Sequence, residues 1–216
     1  MYYSTGGQQV PYAQRVIIVN GHGKVMARAG FVQLQVEVNT QGKHVQDAQK
    51  ENAIIMNPVM QSLLALKIPR EHIQTTDYTI LPLYDFENGE QIFNGYKVTN
   101  AITVKVMDTN QVGAVIDKAV QNGANRISSI QFNISDTDAY YQQALTLALH
   151  NAQMKAKTIA DAMYLNLQPQ PIEIVEEHEN SPVLYKSMTM ADSTIATPIE
   201  QGQMAINATV RVKFQY

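Results

Sequence analysis

The residues that could do chemistry are few in this chain, and they are spread along it. Cysteine is absent from the 216 residues, which excludes thiol nucleophiles, thiolate zinc sites and iron–sulfur clusters. Neither a Gly-x-Ser-x-Gly elbow nor a phosphate-binding glycine loop is present. The five histidines lack metal-binding spacing such as His-Glu-x-x-His, and they are His22, His44, His72, His150 and His178. The sequence therefore predicts no catalytic residue and no enzymatic activity.

The densest group of potential metal ligands is the run Glu176-Glu177-His178-Glu179. Carboxylate and imidazole groups can bind a divalent ion. Successive side chains of a strand point to opposite faces, however, so at most Glu176 and His178 share a side. Solvated charge at a strand end explains the run more simply. Tyr140, Glu176 and His178 are the best candidates for a ligand site, but we predict neither a metal nor a cofactor.

A glycine motif, Gly21-His22-Gly23, follows a short apolar strand. It lacks the third glycine of a dinucleotide-binding loop, because Met26 holds that place. The residues after it predict a strand, so no helix N-terminus is available to bind a pyrophosphate. We interpret the motif as a turn between two strands.

The composition narrows the classes of partner. Charged residues make up 16% of the chain, the net charge is −3, and 22 glutamines and 15 asparagines replace many charges. This balance argues against nucleic-acid binding, which requires a basic surface. The outer faces of the predicted strands are rich in Thr, Gln and Asn, and edge strands without charge tend to pair with other chains. A specific homo-oligomer and an ordinary amide-rich surface both fit this pattern.

The location expected from the sequence is the cytoplasm. The first residues are polar, carry no charge before Arg15 and include no apolar run of the length of a secretory signal. Nowhere do 18 consecutive apolar residues occur, so we expect no membrane span.

Periodicity predicts the elements that must position these residues. Residues 1–14 predict a disordered tail. Strands are predicted over residues 16–19, 31–38, 73–83, 96–106, 127–134, 171–178 and 206–216, and helices over 45–66, 109–121 and 136–163. This order, ββαββαβαββ, predicts an α+β fold with a largely antiparallel sheet and helices packed on one face. Two interlocked subdomains, 15–106 and 107–216, and a mobile loop near 179–196 complete the prediction.

Three local features carry further expectations. Pro58 should bend the first helix near Asn57 or break it in two. Residues 85–95, with Asn88-Gly89 and Asn94-Gly95, predict the turn of a long hairpin. The longest helix should bury one stripe, which consists of Tyr141, Leu145, Ala148, Leu149, Ala152, Ala156, Ile159, Ala160 and Met163.

Several short motifs together resemble one known family from about residue 15 to residue 216. They are Gly21-His22-Gly23-Lys24-Val25, Ile73-Gln74-Thr75, Leu81-Pro82-Leu83-Tyr84, Gly95-Tyr96-Lys97-Val98, Val115-Ile116-Asp117-Lys118-Ala119, Asn122-Gly123-Ala124-Asn125, Ile130-Gln131-Phe132, Ala152-Gln153-Met154-Lys155-Ala156 and Thr197-Pro198-Ile199-Glu200-Gln201-Gly202. This set resembles the SIMPL-domain family of bacterial proteins, a domain of unknown function.

The resemblance implies a cellular location and a homo-oligomeric state, but no reaction. Many members of the family are exported envelope proteins linked to oxidative-stress defence, large ring-like homo-oligomers are known among them, and no catalytic set exists to carry over. We therefore expect a non-enzymatic, homo-oligomeric structural or binding protein with a stress-related role. The alternative is a small-molecule or metal-binding stress module with an unidentified ligand.

Overall fold

The computed structural model describes residues 15–177, 183–185 and 197–216. Among these residues the predicted order of elements is confirmed, with one short additional strand. The elements are β1 (Val16–Ala27), β2 (Phe31–Gly42), α1 (Val45–Ala65), β3 (Ile73–Glu87), β4 (Glu90–Val106), α2 (Val112–Gln121), β5 (Arg126–Asn133), α3 (Thr137–Ala162), β6 (Pro171–Glu177), β7 (Val183–Tyr185) and β8 (Gln203–Gln215). The α+β class is confirmed. The predicted tail lies outside the described residues, as does the predicted mobile loop except for β7.

The chain forms two compact units whose segments alternate along the sequence. Within the described residues, the first unit comprises 15–26, 137–177, 183 and 205–216, and the second comprises 27–136, 184–185 and 197–204. The predicted subdomains, in contrast, are consecutive segments of the chain.

The second unit is built on an antiparallel sheet with the strand order β3-β4-β2-β5. Strand β2 alternates as the sequence predicts, and its valines and leucine lie in the core together with residues of α1 and α2. The largest fully buried side chains of this core include Leu34, Leu63, Ile102, Val59 and Val115. Burial of this apolar face is what holds both helices on the sheet.

Helix α1 runs without a break through Pro58, so of the two predicted outcomes, a bend or a break into two helices, the break is wrong. Pro58 lies on the exposed face of the helix, while Met56 and Val59 on either side are buried in the core. The backbone carbonyl that loses its hydrogen-bond donor belongs to Ile54, an exposed residue. Water can satisfy that carbonyl, so the proline costs less here than in a buried helix.

The first unit combines α3 with a sheet of order β1-β8-β6. The buried face of α3 is narrower than the predicted stripe and consists of alanines four residues apart, at positions 144, 148, 152, 156 and 160. Leu149, Ile159 and Met163 are 37%, 41% and 65% exposed, so their predicted place in the core is wrong. Only small side chains fit where the helix lies this close to its neighbours.

Strand β1 explains that closeness. Gly21 and Gly23 lie inside the strand, and the interpretation of their motif as a turn is wrong, because β1 continues to Ala27. A Cβ atom on Gly21 would lie 2.0 Å from the backbone oxygen of Ala148, and one on Gly23 would lie 1.8 Å from that of Ala144. The two glycines therefore leave the space that the backbone of α3 occupies.

Replacing Gly23 with alanine should destabilise the protein strongly. The added methyl group meets backbone and not a flexible side chain, so the helix must move, at a cost of about 2–3 kcal/mol or more. Urea unfolding followed by circular dichroism measures this free energy. The control His22→Ala, between the glycines but exposed, should change the free energy of unfolding by less than about 1 kcal/mol. Equal effects of the two substitutions would contradict the packing of α3 on β1.

Candidate functional site

Of the candidate ligand residues, Tyr140 and Glu176 lie within the described part of the chain, and Glu176 makes a side-chain hydrogen bond there. The hydroxyl group of Tyr141, the neighbour of Tyr140, donates a hydrogen bond of 2.6 Å to the carboxylate of Glu176. Tyr141 is half-buried at the start of α3, so its assignment to the core stripe is wrong. His178 lies outside the described residues. Within residues 15–177, 183–185 and 197–216, no group of three or more acidic or histidine side chains could hold a metal ion.

The Tyr141–Glu176 pair has one electrostatic consequence. The hydrogen bond to Glu176, burial and the nearby negative charge each raise the pKa of Tyr141 above its ordinary value. The phenol is therefore held in its neutral form, as a hydrogen-bond donor that ties α3 to β6.

The free edge of β1 is covered by side chains of α3. The backbone N–H of His22 donates to the side-chain oxygen of Asn151 at 3.1 Å. One helical turn further on, the ammonium group of Lys155 donates to the backbone carbonyl of Asn20 at 2.7 Å. Unpaired backbone groups of an edge strand invite pairing with other chains, and α3 satisfies two of them here.

Two other edge strands carry features that oppose pairing. Strand β6 begins with Pro171 and carries Glu173, whose carboxylate lies 3.7 Å from the ammonium group of Lys213. Strand β3 contains Asp77 and Pro82, and its register against β4 shifts twice. Proline, charge and bulges are the usual protections of sheet edges. These edges are poorly suited to join a neighbouring sheet.

Beyond the end of β2, strands β3 and β4 continue as a two-stranded ribbon, because the pairing of β4 with β2 stops at Tyr96 opposite Gly42. We call its residues 83–95 the aromatic arm. Its turn is Asn88-Gly89 alone, with φ angles of 52° and 87°, as a two-residue hairpin of type I′ requires. Most of the predicted turn over 85–95 is therefore strand.

The aromatic arm exposes large apolar side chains. Phe86 is 74% exposed, and Tyr84 and Phe93 are 47% and 46% exposed. The ring of Phe93 meets Tyr84 and Tyr96 edge to face, with centroid distances of 5.8 and 5.2 Å. An isolated two-stranded ribbon is marginally stable, so these ring contacts support the arm. The alternation Tyr84-x-Phe86 before Asn88-Gly89 is the sequence signal that could have identified it.

A buried carboxylate, Glu37, joins β2 to β5. Only 4% of Glu37 is exposed, although it lies on the face of β2 opposite the one that Val36 and Val38 bury in the core. Its carboxylate accepts a hydrogen bond from Ser128 at 2.9 Å and lies 3.6 Å from the guanidinium group of Arg126. Burial of this kind depends on neighbouring strands, so the alternation of β2 alone could not reveal it.

The motif Thr197-Pro198-Ile199-Glu200-Gln201-Gly202 fastens a segment to α2. Asp117 of α2 accepts hydrogen bonds from the backbone N–H and the hydroxyl group of Thr197, at 3.2 and 2.5 Å. The side chain of Gln201 donates to Thr109 at 2.6 Å, and Ile199 packs against the core. The motif is therefore a packing and anchoring element.

Two grooves flank α3 in the first unit. One, of about 570 Å³, lies beside β1 and is lined by Ile18, Val19, Asn20, Met154, Lys155 and Ile159, among others. The second, of about 360 Å³, lies towards β6, where its lining includes Leu149, His150, Ile174 and Phe214. Both are largely apolar with a few polar groups, as ligand sites commonly are.

Together, the fold and these contacts define an α+β protein of two units whose distinctive residues are used for packing and anchoring. The family model for SIMPL, described as a protein of unknown function (DUF541), matches residues 17–214. The chain therefore belongs to the SIMPL family, as its motifs suggest.

Individual relatives agree with this assignment. The "26 kDa periplasmic immunogenic protein" of Brucella melitensis is 27% identical over 215 residues, covering 92% of this chain and 84% of that protein. The "Uncharacterized protein YggE" of Escherichia coli K12 is 26% identical over 153 residues, covering 71% of this chain and 62% of that protein. A YggE of Edwardsiella ictaluri is 21% identical over 170 residues, which is 78% of this chain and 71% of that protein.

These names contradict the predicted cytoplasmic location, because two relatives that match 92% of the chain are named as periplasmic. The prediction relied only on the polarity and charge of the first residues in the sequence. Within the described residues, no helix has the length and apolar character that crossing a membrane requires.

The raised pKa of Tyr141 can be tested directly. The hydrogen bond stabilises the folded state at pH values below the ordinary tyrosine pKa, and this contribution is lost as the pH rises through the raised pKa. Glu176→Gln removes the negative charge, so the pKa of Tyr141 should fall towards its ordinary value. A pH titration of isotope-labelled tyrosine followed by NMR measures the change, with Tyr141→Phe to assign the signal. An unchanged titration in Glu176→Gln would refute the pairing.

Proposed function

We propose that this chain is a non-enzymatic protein of the bacterial cell envelope that assembles with copies of itself through the aromatic arm. The observation that carries the proposal is the exposure of Tyr84, Phe86 and Phe93 on a ribbon that extends past its sheet. Aromatic residues are enriched in protein interfaces. The periplasmic names of two relatives support the proposed envelope location.

The size of the exposed patch supports a role in assembly. An aromatic side chain offers about 150–250 Å², so the exposed fractions of the three rings amount to roughly 250–400 Å². A stable interface buries about 800 Å² on each partner. The three rings therefore account for the apolar centre of such an interface, with the rest supplied by polar residues around them.

Charge favours a contact between the aromatic arm and a different surface of the neighbouring copy. The arm carries Asp85, Glu87 and Glu90 and no lysine or arginine, so two arms brought face to face would repel each other. A contact between unlike surfaces is heterologous, and when its rotation closes it generates a ring. The protected edges of β3 and β6 also favour the arm over edge-to-edge pairing.

The absence of enzymatic activity belongs to this proposal. The distinctive glycines, the motif around Thr197 and the Tyr141–Glu176 pair each have a packing or anchoring role in the structure. With these residues committed to structure, binding and assembly account for the chain better than a reaction does. A stress-related role is part of the same proposal.

The solution mass tests the assembly. Light scattering coupled to gel filtration at tens of micromolar should give a multiple of 24.1 kDa for the native protein. The triple variant Tyr84→Ser, Phe86→Ser, Phe93→Ser should elute as a monomer, because it removes the apolar centre of the interface.

The matched control is Tyr164→Ser, which removes a 98% exposed aromatic ring outside the arm and should leave the mass unchanged. A native protein that is strictly monomeric at these concentrations would overturn the proposal. An oligomer that survives the triple substitution would place the interface elsewhere.

A second candidate function is small-molecule binding, favoured by the groove of about 360 Å³ beside His150. Its apolar wall and single imidazole suit a small amphiphile. A thermal-shift screen of amphiphilic acids and amines tests it, with Leu149→Asp as the variant that should abolish any shift. If no compound raises the melting temperature of the native protein, this candidate fails.

A further inference from the structure

We propose that the groove between β1 and α3 binds the C-terminal end of an extended peptide, which adds to β1 as a further strand. The groove has a volume of about 570 Å³, within the range of ligand sites. This inference is independent of self-assembly, because it concerns the first unit and not the aromatic arm.

The strand wall of the groove offers main-chain recognition. β1 lies at the end of the order β1-β8-β6, and N–H and C=O groups of alternate residues point to the free edge of such a strand. The contacts of Asn20 and His22 with α3 show that these residues present their backbone groups there. Both contacts are exposed hydrogen bonds made by side chains, which an incoming strand can replace at small cost. Addition to a strand edge is a general mode of peptide recognition.

The helix wall supplies a charge for the peptide terminus. The ammonium group of Lys155 lines the groove and donates to a neutral carbonyl. Within the part of the chain that the structure describes, no carboxylate forms an ion pair with Lys155, and none lines the groove. A C-terminal carboxylate that replaced the carbonyl of Asn20 would turn this contact with a neutral acceptor into an ion pair between ammonium and carboxylate.

Apolar side chains at the rim provide contacts for the residues of the peptide. Met154 and Ile159 of α3 are 57% and 41% exposed, and Ile18 of β1 is 54% exposed. The groove thus combines exposed apolar groups, the edge of β1 and a single cation. This combination suits an extended peptide that ends in apolar residues. A simple amphiphilic carboxylate would use the cation and the apolar wall but not the backbone of β1.

An array of random octapeptides tests the proposal, each synthesised once with a free C-terminal carboxylate and once as the amide. The purified protein should bind a subset of the peptides that carry a free C-terminal carboxylate. For those sequences, the amide and the variant Lys155→Ala should each bind at least about tenfold more weakly, the loss expected from one charge-assisted contact. Bound peptide should also slow hydrogen exchange of the β1 amides.

Matched variants separate the charge from the fold. Lys157→Ala removes an exposed lysine of α3 that does not line the groove and should leave binding unchanged, and Lys155→Arg should retain most of it. The inference is overturned if no peptide is retained, if carboxylate and amide bind equally, or if Lys155→Ala binds as the native protein does. It is also overturned if octanoate binds as tightly as the best peptide, because the groove would then recognise amphiphiles and not a strand.

Discussion

The first unit depends on the close approach of helix α3 to strand β1. A helix packed on a sheet is normally held off by the side chains between them. Here Gly21 and Gly23 remove those side chains from the strand, and alanines spaced four residues apart remove them from the helix. The backbone oxygens of Ala144 and Ala148 occupy the space where Cβ atoms would otherwise lie. The packing therefore requires glycine on the strand and alanine on the helix, because a methyl group added to either glycine would displace the backbone of α3.

This approach also determines what happens at the edge of β1. Because α3 lies so close, the side chains of Asn151 and Lys155, one turn apart, reach the backbone of the strand. The same geometry creates the groove beside them. Protection of the edge and the ability to receive a peptide are thus two consequences of one packing arrangement, since the covering side chains are exposed and exchangeable.

The sequence predicts those parts of the fold that depend on local periodicity. Strand β2 has one apolar and one polar face, so its alternation identifies both the strand and its buried side. Helix α3 is found, but Leu149 and Met163 are wrongly assigned to its core, because helical spacing cannot reveal that the contact admits only alanine. The glycines at 21 and 23 are mistaken for a turn for the same reason. Their role depends on a helix more than a hundred residues away in the sequence.

The candidate site is less predictable than the fold. Glu176, predicted as a candidate for a ligand site, accepts a hydrogen bond from Tyr141, which the sequence places in the core. The aromatic arm is missed because its two Asn-Gly pairs suggest a long loop. Only Asn88-Gly89 forms the turn, while Gly95 lies inside β4 with a φ angle of 114°. Phe93 therefore belongs to an exposed strand that pairs with β3, and not to a loop.

The central claim is that copies of the chain meet through the aromatic arm and not edge to edge through their sheets. Hydrogen exchange followed by mass spectrometry, at concentrations above and below dissociation, tests this claim most directly. Dilution should speed hydrogen exchange in residues 83–95 and leave the exchange rates of β1 and β6 unchanged. Faster exchange in β1 or β6 upon dilution, with residues 83–95 unaffected, would show that the copies join edge to edge and would contradict the account.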